Sequence, residues 1–414
     1  MKIQIEQKSV ARTIHPEEIL ALTLGQLKET AELHLHKEVN TAVISVPASY
    51  NYNQRQSVKD AGTIAGFNNV FTIIASTAAS LAYGFTRREE RERNILMIDL
   101  GGGSLNVSIV NVDDGIFEVK SVSGDVHLGG EDFINNLVSH FVQEFEEKHG
   151  KSIRNDLLAV TRLRPACESA MCKLSSASAT MASVEINSLT EDINFCSSVT
   201  RDLFEELNAK LFQRILNVVK KAMHNAKVTQ SKLDEIVVIG GASHIPKVQT
   251  MFKEYFDETN VKMNVNPYQA VACGAAIQAA ILCNDKSDSL QDILLVDATP
   301  MTLGIEAVHG VMAPIIKRNT NIPIKKCQKF TTFVENPAVL VPDCQAELIQ
   351  KQRQEYEHNC HAHDTSKAPL SRKPLNIQIK IYEGDNVQTS DNNLLCKFTL
   401  PNLPMLQVVY QRLL

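Results

Sequence analysis

Apolar runs and amphipathic segments alternate along the chain up to about residue 292. Short, partly β-branched apolar runs predict buried strands at 41–46 and 235–239, and a two-strand meander at 94–123. Segments with apolar residues every three or four positions predict helices at 16–33, 53–66, 76–84, 130–149, 154–174, 201–226, 246–256 and 270–282. A hairpin is predicted at 181–200. This alternation predicts an α/β fold.

Beyond residue 292 the pattern changes to strands alone, which predicts a domain boundary near that position. The helix predicted at 270–282 is rich in alanine and contains Gly274. Small residues of this kind allow close packing across an interface. The sequence therefore predicts an α/β domain followed by an all-β domain.

A first glycine cluster follows the strand that ends at Asp99. Gly101, Gly102, Gly103 and Ser104 join this strand to a second strand, so their backbone N–H groups can approach phosphate oxygens with no Cβ in the way. An aspartate just before such a turn can hold a hydrated divalent cation. A plain hairpin turn capped by Asp99 is the alternative.

A second cluster, Gly240 and Gly241, follows another apolar strand and precedes a helix with Pro246 in its first turn. The start of a helix is suited to an anion or a ribose. A strand–glycine–strand element followed far downstream by a strand–glycine–helix element is the order found in the actin-like ATPase fold. The residues alone also leave open a sugar-kinase-like or actin-like enzyme.

Composition narrows the class of protein. The 414 residues are 44% hydrophobic and 21% charged, with a net charge of -5 and no basic stripe, which argues against nucleic-acid binding. No apolar run reaches the roughly 18 residues of a membrane span, and no signal peptide begins at Met1. Nine scattered cysteines favour a reducing compartment, and we expect the protein in the cytoplasm or nucleus.

Several segments, in order along the chain, resemble the seventy-kilodalton heat-shock chaperone family. They are 43–48, 54–62, 99–103, 129–133, 204–208, 240–241, 274–281 and 292–297. The resemblance runs from the start to about residue 337 and again from about 375 to 404. It implies three parts: an actin-like, ribonuclease H-like nucleotide-binding domain lacking its first part at 1–286, an apolar linker at 287–297, and an incomplete all-β peptide-binding sandwich at 298–414 with a divergent insertion at about 338–374.

The resemblance also implies functional residues. It implies that Asp99 is the catalytic carboxylate and binds Mg²⁺ through water. ATP or ADP contacts are implied for Gly101, Gly102, Gly103, Ser104, Glu168, Ser175, Gly240 and Gly241. The apolar linker residues are Ile293, Leu294, Leu295 and Val296. The peptide groove is implied to contain Ile305, Val308, Phe330, Phe333, Ile377 and Ile379.

The sequence departs from the family at the nucleotide site. Family members carry a further front segment with the first phosphate hairpin and a catalytic lysine, and neither occurs in these residues. Ala75 and Ser76 stand where the family has a glutamate beside a proline, and Asn106 stands at the position of an aspartate. Cys172 and His244 replace arginines near the base, and Tyr268 replaces an aspartate. We expect weakened nucleotide binding and very slow or absent hydrolysis.

Three hypotheses remain open. The first is a chaperone that binds ATP or ADP with Mg²⁺ and unfolded or extended polypeptides, with J-domain co-chaperones and nucleotide exchange factors as partners. The second is a nucleotide-independent interaction module that acts as a decoy or scaffold for clients and co-chaperones. The third is a decayed gene product with no settled function.

Overall fold

The computed structural model describes residues 2–7, 10–87, 91–176, 178–190, 193–256, 261–263, 265–285, 287, 290, 292–332, 340–342, 375–403 and 409–413. The chain divides into two compact units. Unit 1 comprises Met1–Tyr50 and Arg55–Asp297, and unit 2 comprises Asn51–Gln54 and Ala298–Leu414. The division after Asp297 falls at the last residue of the predicted linker.

Unit 1 is a mixed α/β structure. Its helices are α1 (Pro16–Leu35), α2 (Tyr52–Ile64), α3 (Ala75–Thr86), α4 (Gly130–His149), α5 (Leu157–Leu174), α6 (Arg201–Leu207), α7 (Ala209–Ala226), α8 (Pro246–Tyr255) and α9 (Ala270–Leu282). Its strands are β1 (Ile3–Gln7), β2 (Val10–Ile14), β3 (Thr41–Val46), β4 (Asn69–Ile74), β5 (Arg93–Leu100), β6 (Leu105–Asp113), β7 (Ile116–Asp125), β8 (Met181–Thr190), β9 (Ile193–Thr200), β10 (Glu235–Ile239), β11 (Val261–Lys262) and β12 (Leu294–Val296).

A six-stranded sheet in the order β11-β10-β5-β6-β7-β12 is the centre of unit 1. Strands β5, β6 and β7 form an antiparallel meander. Strand β10 runs parallel to β5, and β12 runs parallel to β7. Strand β3 pairs in parallel with β4, and β8 forms a hairpin with β9.

The largest of the described hydrophobic clusters joins this sheet to helices α4, α5, α6, α7 and α8. Helix α4 shows how the sequence builds it, because Phe133, Leu137, Phe141 and Phe145 recur every four residues and are all fully buried. Each buried side chain of this size stabilises the fold by about 1.5–3 kcal/mol. The core fixes β5 and β6, and with them the glycine loop between these two strands.

The predicted elements agree with the structure in most places and differ in three. Strand β4 was not predicted, and the region from 94 to 123 contains three strands where two were predicted. The predicted helix at 201–226 is interrupted at Asn208, whose φ of -106° and ψ of 8° are not helical. The Asn208 amide donates to the carbonyl of Phe204 at 2.8 Å and accepts from Asn136 at 2.9 Å, which stabilises the break.

Helices α3 and α9 pack closely. A Cβ at Gly274 would lie 1.7 Å from the carbonyl oxygen of Ala78. Only glycine fits at this position, so the small-residue character of α9 has a packing cause.

Unit 2 is built from strands, as predicted. They are β13 (Leu303–Glu306), β14 (Met312–Ile316), β15 (Lys326–Thr332), β16 (Leu340–Pro342), β17 (Leu375–Glu383), β18 (Asn393–Leu403) and β19 (Val409–Leu413). They form a four-stranded sheet, β14-β13-β17-β18, and a three-stranded sheet, β16-β15-β19. Most of the predicted insertion at 338–374 lies outside the described residues.

None of the helices in the described part of the chain combines the length and the apolar character that crossing a bilayer requires.

Candidate functional site

The glycine loop between β5 and β6 is fixed by hydrogen bonds to the start of α4. The N–H of Gly130 donates to the carbonyl of Gly101 at 3.0 Å, and the N–H of Glu131 donates to that of Gly102 at 2.7 Å. A Cβ at Gly129 would lie 2.4 Å from the carbonyl oxygen of Gly102. The loop and helix α4 therefore hold each other in place.

The outer side of the same loop is open. A Cβ at Gly102 or Gly103 would meet no described atom within 4 Å, and both residues are exposed. The N–H of Gly101 donates to the carbonyl of Ser104 at 3.0 Å, which closes the turn. A ligand can therefore approach the backbone at Gly102 and Gly103, whereas the donor of Gly101 is already used.

Asp99 lies at the end of β5, opposite Asn106 in β6, and is only 8% exposed. The Asn106 Nδ2 donates to Asp99 Oδ2 at 3.2 Å and to Ser104 Oγ at 3.3 Å, while Asn106 Oδ1 accepts from the N–H of Ala48 at 2.9 Å. Burial raises the pKa of Asp99, and the hydrogen bond from Asn106 opposes this shift. The carboxylate therefore faces a neutral donor.

Ala75 and Ser76, which stand where the family has a glutamate beside a proline, contribute no charge. The hydroxyl of Ser76 lies 2.6 Å from that of Ser108, and both serines are fully buried. The described residues contain no group of three or more His, Cys, Asp or Glu side chains placed to hold a metal ion. The donors around Asp99 therefore fit a hydrogen-bonded carboxylate–amide pair and do not fit a magnesium ion held between carboxylates.

The Gly240–Gly241 turn passes over the end of β5. Gly240 has a φ of 88°, and a Cβ there would lie 2.3 Å from the carbonyl oxygen of Leu100 and 2.9 Å from Asp99 Oδ1. Both the backbone N–H and the hydroxyl of Ser243 donate to the carbonyl of Gly240, at 3.1 and 2.6 Å. Glycine is required here, and the turn places the second glycine cluster beside Asp99.

A cleft of about 550 Å³ opens beside these turns. The residues around it are Gly102, Gly130, Glu131, Ile134, Glu168, Met171, Cys172, Ser175, Ser176, Gly241, Ala242, His244, Ile245 and Tyr268. The structure thus brings together four predicted nucleotide contacts from three segments: Gly102, Glu168, Ser175 and Gly241. The other four predicted contacts, Gly101, Gly103, Ser104 and Gly240, and the predicted catalytic residue Asp99 are not among those around the cleft.

Helix α5 supplies one wall of the cleft. Glu168, Cys172 and Ser175 recur every three or four residues, so they lie on one helical face. Arg164, one turn earlier, forms an ion pair with Glu131 of α4 and thereby ties the two helices together. This wall presents a carboxylate and a hydroxyl to any molecule in the cleft.

His244 and Tyr268 form an aromatic pair at the cleft. Their ring centroids are 6.3 Å apart, and the ring planes are inclined by 30°. The N–H of Tyr268 donates to Asn266 Oδ1 at 3.0 Å, which fixes the backbone of the tyrosine. Sequence reasoning named both residues only as departures from the family, since two residues on separate segments give no local signal of stacking.

The predicted linker lies against the sheet of unit 1. Residues Leu294–Val296 form β12, and the N–H of Leu294 donates to the carbonyl of Gly115 at 3.1 Å. Ile293 is buried, Leu295 packs against a cluster that includes Ile73, and Leu294 is 54% exposed. The linker therefore extends the sheet beyond β7.

The predicted peptide-contact residues lie in unit 2, mostly in its core. Ile305 and Ile377 are 0% exposed, and Phe330 and Ile379 are 1% exposed. Val308 is partly buried in a short 3-10 turn. Phe333 lies outside the described residues. These four residues belong to the hydrophobic core of unit 2, and their contact with a peptide stays a prediction.

The chain is similar to known proteins over nearly its whole length. The profile of the family described as Hsp70 protein matches residues 1–363. A heat shock 70 kDa protein of Neurospora crassa is 45% identical over 404 residues, which cover 97% of this chain and 56% of that protein. The heat shock cognate 70 kDa protein 3 of Dictyostelium discoideum is 43% identical over 404 residues, 97% of this chain and 58% of that protein. The chain therefore spans little more than half the length of these curated relatives.

Proposed function

The chain belongs to the Hsp70 family, and we propose that it acts as a chaperone of that family, binding adenine nucleotide in the cleft of unit 1 and extended polypeptide segments through unit 2. The observation that carries the nucleotide part is the convergence of Gly102, Glu168, Ser175 and Gly241 on one cleft of about 550 Å³. A cleft of this size is suited to a nucleoside and its substituents.

The residues around the cleft divide between two parts of the ligand. The Glu168 carboxylate accepts hydrogen bonds from the ribose hydroxyls, and Ser175 contacts the base. Gly102 and Gly241 allow the backbone to approach the phosphate end without a Cβ. ATP supplies a transferable phosphoryl group when it is bound.

Hydrolysis of ATP is weak or absent in this proposal. Phosphoryl transfer depends on positioned charge, and the described residues place one carboxylate, Asp99, where the family has further carboxylates. Asn106 stands at the position of an aspartate and is neutral, and so are Ala75 and Ser76, which stand where the family has a glutamate beside a proline. The raised pKa of Asp99 further disfavours the charged form that would orient water or a cation.

The polypeptide part is proposed from family membership, with the strand composition of unit 2 in support. J-domain co-chaperones and nucleotide exchange factors are the proposed protein partners, and the cytoplasm or nucleus is the proposed compartment. The linker in β12 supports coupling between nucleotide and polypeptide binding, because it contacts the same sheet that supports the glycine loop.

Thermal unfolding with and without millimolar Mg-ADP tests the nucleotide part. A ligand present at one hundred times its dissociation constant adds about 2.7 kcal/mol to the free energy of unfolding, so a clear rise in Tm is expected. Mg-GDP at the same concentration controls for unspecific salt and anion effects. A cooperative transition with no change in Tm on adding ADP would contradict nucleotide binding.

The Asp99–Asn106 pair favours a second function, a nucleotide-independent interaction module. The large hydrophobic core of unit 1 does not depend on the family carboxylates that this chain replaces. Unit 1 therefore keeps its outer surfaces without a bound ligand. A nucleotide exchange factor that binds the chain while ADP leaves its Tm unchanged would identify this second function.

A further inference from the structure

The wall formed by α5 presents acceptors of hydrogen bonds. The hydroxyl of Ser175 donates to the carbonyl of Met171 at 2.8 Å, and the hydroxyl of Ser176 donates to the carbonyl of Lys173 at 2.9 Å. Each serine hydroxyl already donates its only proton, so its oxygen can only accept a further hydrogen bond. Together with the carboxylate of Glu168, these side chains favour a ligand that carries donors.

The charge around the cleft also disfavours anions. Glu131 and Glu168 are the acidic residues around it, and neither lysine nor arginine occurs among the described residues that line it. Arg164 pairs with Glu131 from outside this set, which leaves the charge of Glu168 to dominate the α5 wall. A phosphate group in the cleft therefore meets no positive side chain among the described residues that line it, and the charge of Glu168 repels it.

The backbone donors nearest to the cleft are partly used as well. At the start of α4, the N–H groups of Gly130 and Glu131 donate to the glycine loop, and the N–H of Gly129 donates to the Asp132 carboxylate at 2.8 Å. A helix N-terminus binds anions through such groups when they are free. Here they support the loop instead.

The aromatic pair supplies a flat apolar surface. Tyr268 is 73% exposed, and one edge of its ring lies 3.7 Å from the position that a Cβ would take at Gly241. Its ring therefore covers the glycine turn and extends the surface of His244. Stacking of a nucleobase on aromatic side chains needs no charge on either partner.

From these four observations we propose that the cleft recognises a purine nucleoside bearing an amino group at C6, as in adenosine, and that phosphate groups add little to the affinity. Adenosine then binds this chain about as tightly as ADP. Inosine binds less tightly, because it presents a carbonyl oxygen to acceptors where adenosine presents an amino group. The inference rests on the proposed nucleotide site, and it assigns the affinity of that site to contacts with the base and not with the phosphate groups.

Protection of Cys172 from alkylation is a direct readout of occupancy. Cys172 is exposed and lies at the cleft, whereas Cys196, Cys273, Cys283, Cys327 and Cys396 are exposed outside it and serve as internal controls. The full chain is titrated with adenosine, inosine, ADP and Mg-ADP, and alkylation at each cysteine is followed by mass spectrometry. Tm is measured in parallel.

The expected result is half-protection of Cys172 at concentrations of adenosine and ADP that agree within about threefold, with inosine at least about tenfold weaker. Protection by ADP at concentrations a hundredfold or more below those of adenosine overturns the inference and leaves nucleotide binding intact. Equal protection by inosine and adenosine overturns it as well. Absence of protection and of any Tm shift with all four ligands overturns the inference and the nucleotide site together.

Removing one ring of the aromatic pair tests whether stacking contributes to ligand affinity, and the Tm of the free variant shows whether the fold is unchanged. Tyr268→Ala is expected to weaken adenosine and ADP equally, by about tenfold, since stacking on one ring contributes roughly 1–3 kcal/mol. Tyr52→Ala removes an exposed tyrosine away from the cleft and is the matched control. Unchanged half-protection in Tyr268→Ala, with the Tm of the free protein preserved, contradicts the role of the aromatic pair.

Discussion

The carboxylate of Asp99 is buried next to an amide, and this pairing makes the stability of the fold depend on pH. Loss of hydration raises the pKa of Asp99 in the folded state above its value in the unfolded chain. Between these two pKa values the folded state binds more protons than the unfolded state. The free energy of unfolding therefore falls as pH rises through that interval.

Asp99→Asn is expected to be more stable than the unsubstituted chain at neutral pH and to lose this advantage as pH falls to about 4, the ordinary range of a carboxyl group. The substituted side chain still offers an oxygen to Asn106 but carries no charge to desolvate. Urea unfolding in the presence of a chelator measures the difference across pH.

Asp114→Asn is the control for this substitution, because Asp114 is exposed in the turn between β6 and β7 with a positive φ that asparagine tolerates. This exposed substitution removes no buried charge, so it should not give the gain in stability at neutral pH that is expected of Asp99→Asn. An Asp99→Asn variant that is less stable than the unsubstituted chain at neutral pH contradicts the desolvation argument.

Single residues also show where sequence reasoning succeeds. Gly240 could be predicted, because a turn after a buried strand needs a residue without a Cβ, and the close contact with Leu100 confirms that need. The stacking of His244 on Tyr268 could not, because it depends on how two distant segments fold together. Ile305 shows a third case, since strand alternation predicts its burial and does not say whether a ligand or the core covers it.

At the scale of elements, periodicity predicted most helices because their apolar stripes face one large core. It missed β4, whose burial pattern is mixed along most of its length. It also merged α6 with α7, because the apolar spacing continues through Asn208 while the backbone does not. The side chain of Asn208 donates a hydrogen bond to Phe204 and accepts one from Asn136, and these two bonds stabilise the break between the helices.

The contact between α3 and α9 gives a prediction at the same scale. Gly274→Ala is expected to lower the free energy of unfolding by about 1–3 kcal/mol or more, because the new methyl group overlaps the backbone of α3. Urea unfolding of unit 1 measures the change.

Gly25→Ala is the matched control, since Gly25 lies inside α1 and a Cβ there meets nothing within 4 Å. This substitution should raise stability by about 0.5–1 kcal/mol through helix propensity alone. Equal free energies of unfolding for the two alanine variants would show that α3 and α9 can move apart without loss of stability.

For the whole molecule, the segment that joins the two units is itself part of unit 1. The sequence predicted an apolar linker, and the structure shows its pairing partner, β7, which no local pattern identifies. Alternation of helices and strands followed by strands alone predicted the α/β and all-β character of the two units. The burial of the predicted peptide contacts was not predicted, because it depends on packing between two sheets.

Leu295→Asp is expected to detach β12, because a charge in place of Leu295 would be placed against the apolar cluster that includes Ile73. Hydrogen exchange at the amide of residue 294, which bonds to Gly115, should become markedly faster. Leu294→Asp is the control, since that side chain is mostly exposed and the amide should stay protected. Equal protection in both variants contradicts docking through Leu295.

The pairing of β12 with β7 has a consequence for the behaviour of the protein at high concentration. Without β12, the first residues of β7 would present unpaired N–H and C=O groups beside the exposed side chain of Ile116, a template on which strands of other molecules can add. The linker thus protects the sheet against self-association. Conditions that release it should make aggregation depend steeply on protein concentration, even while the core of unit 1 remains folded.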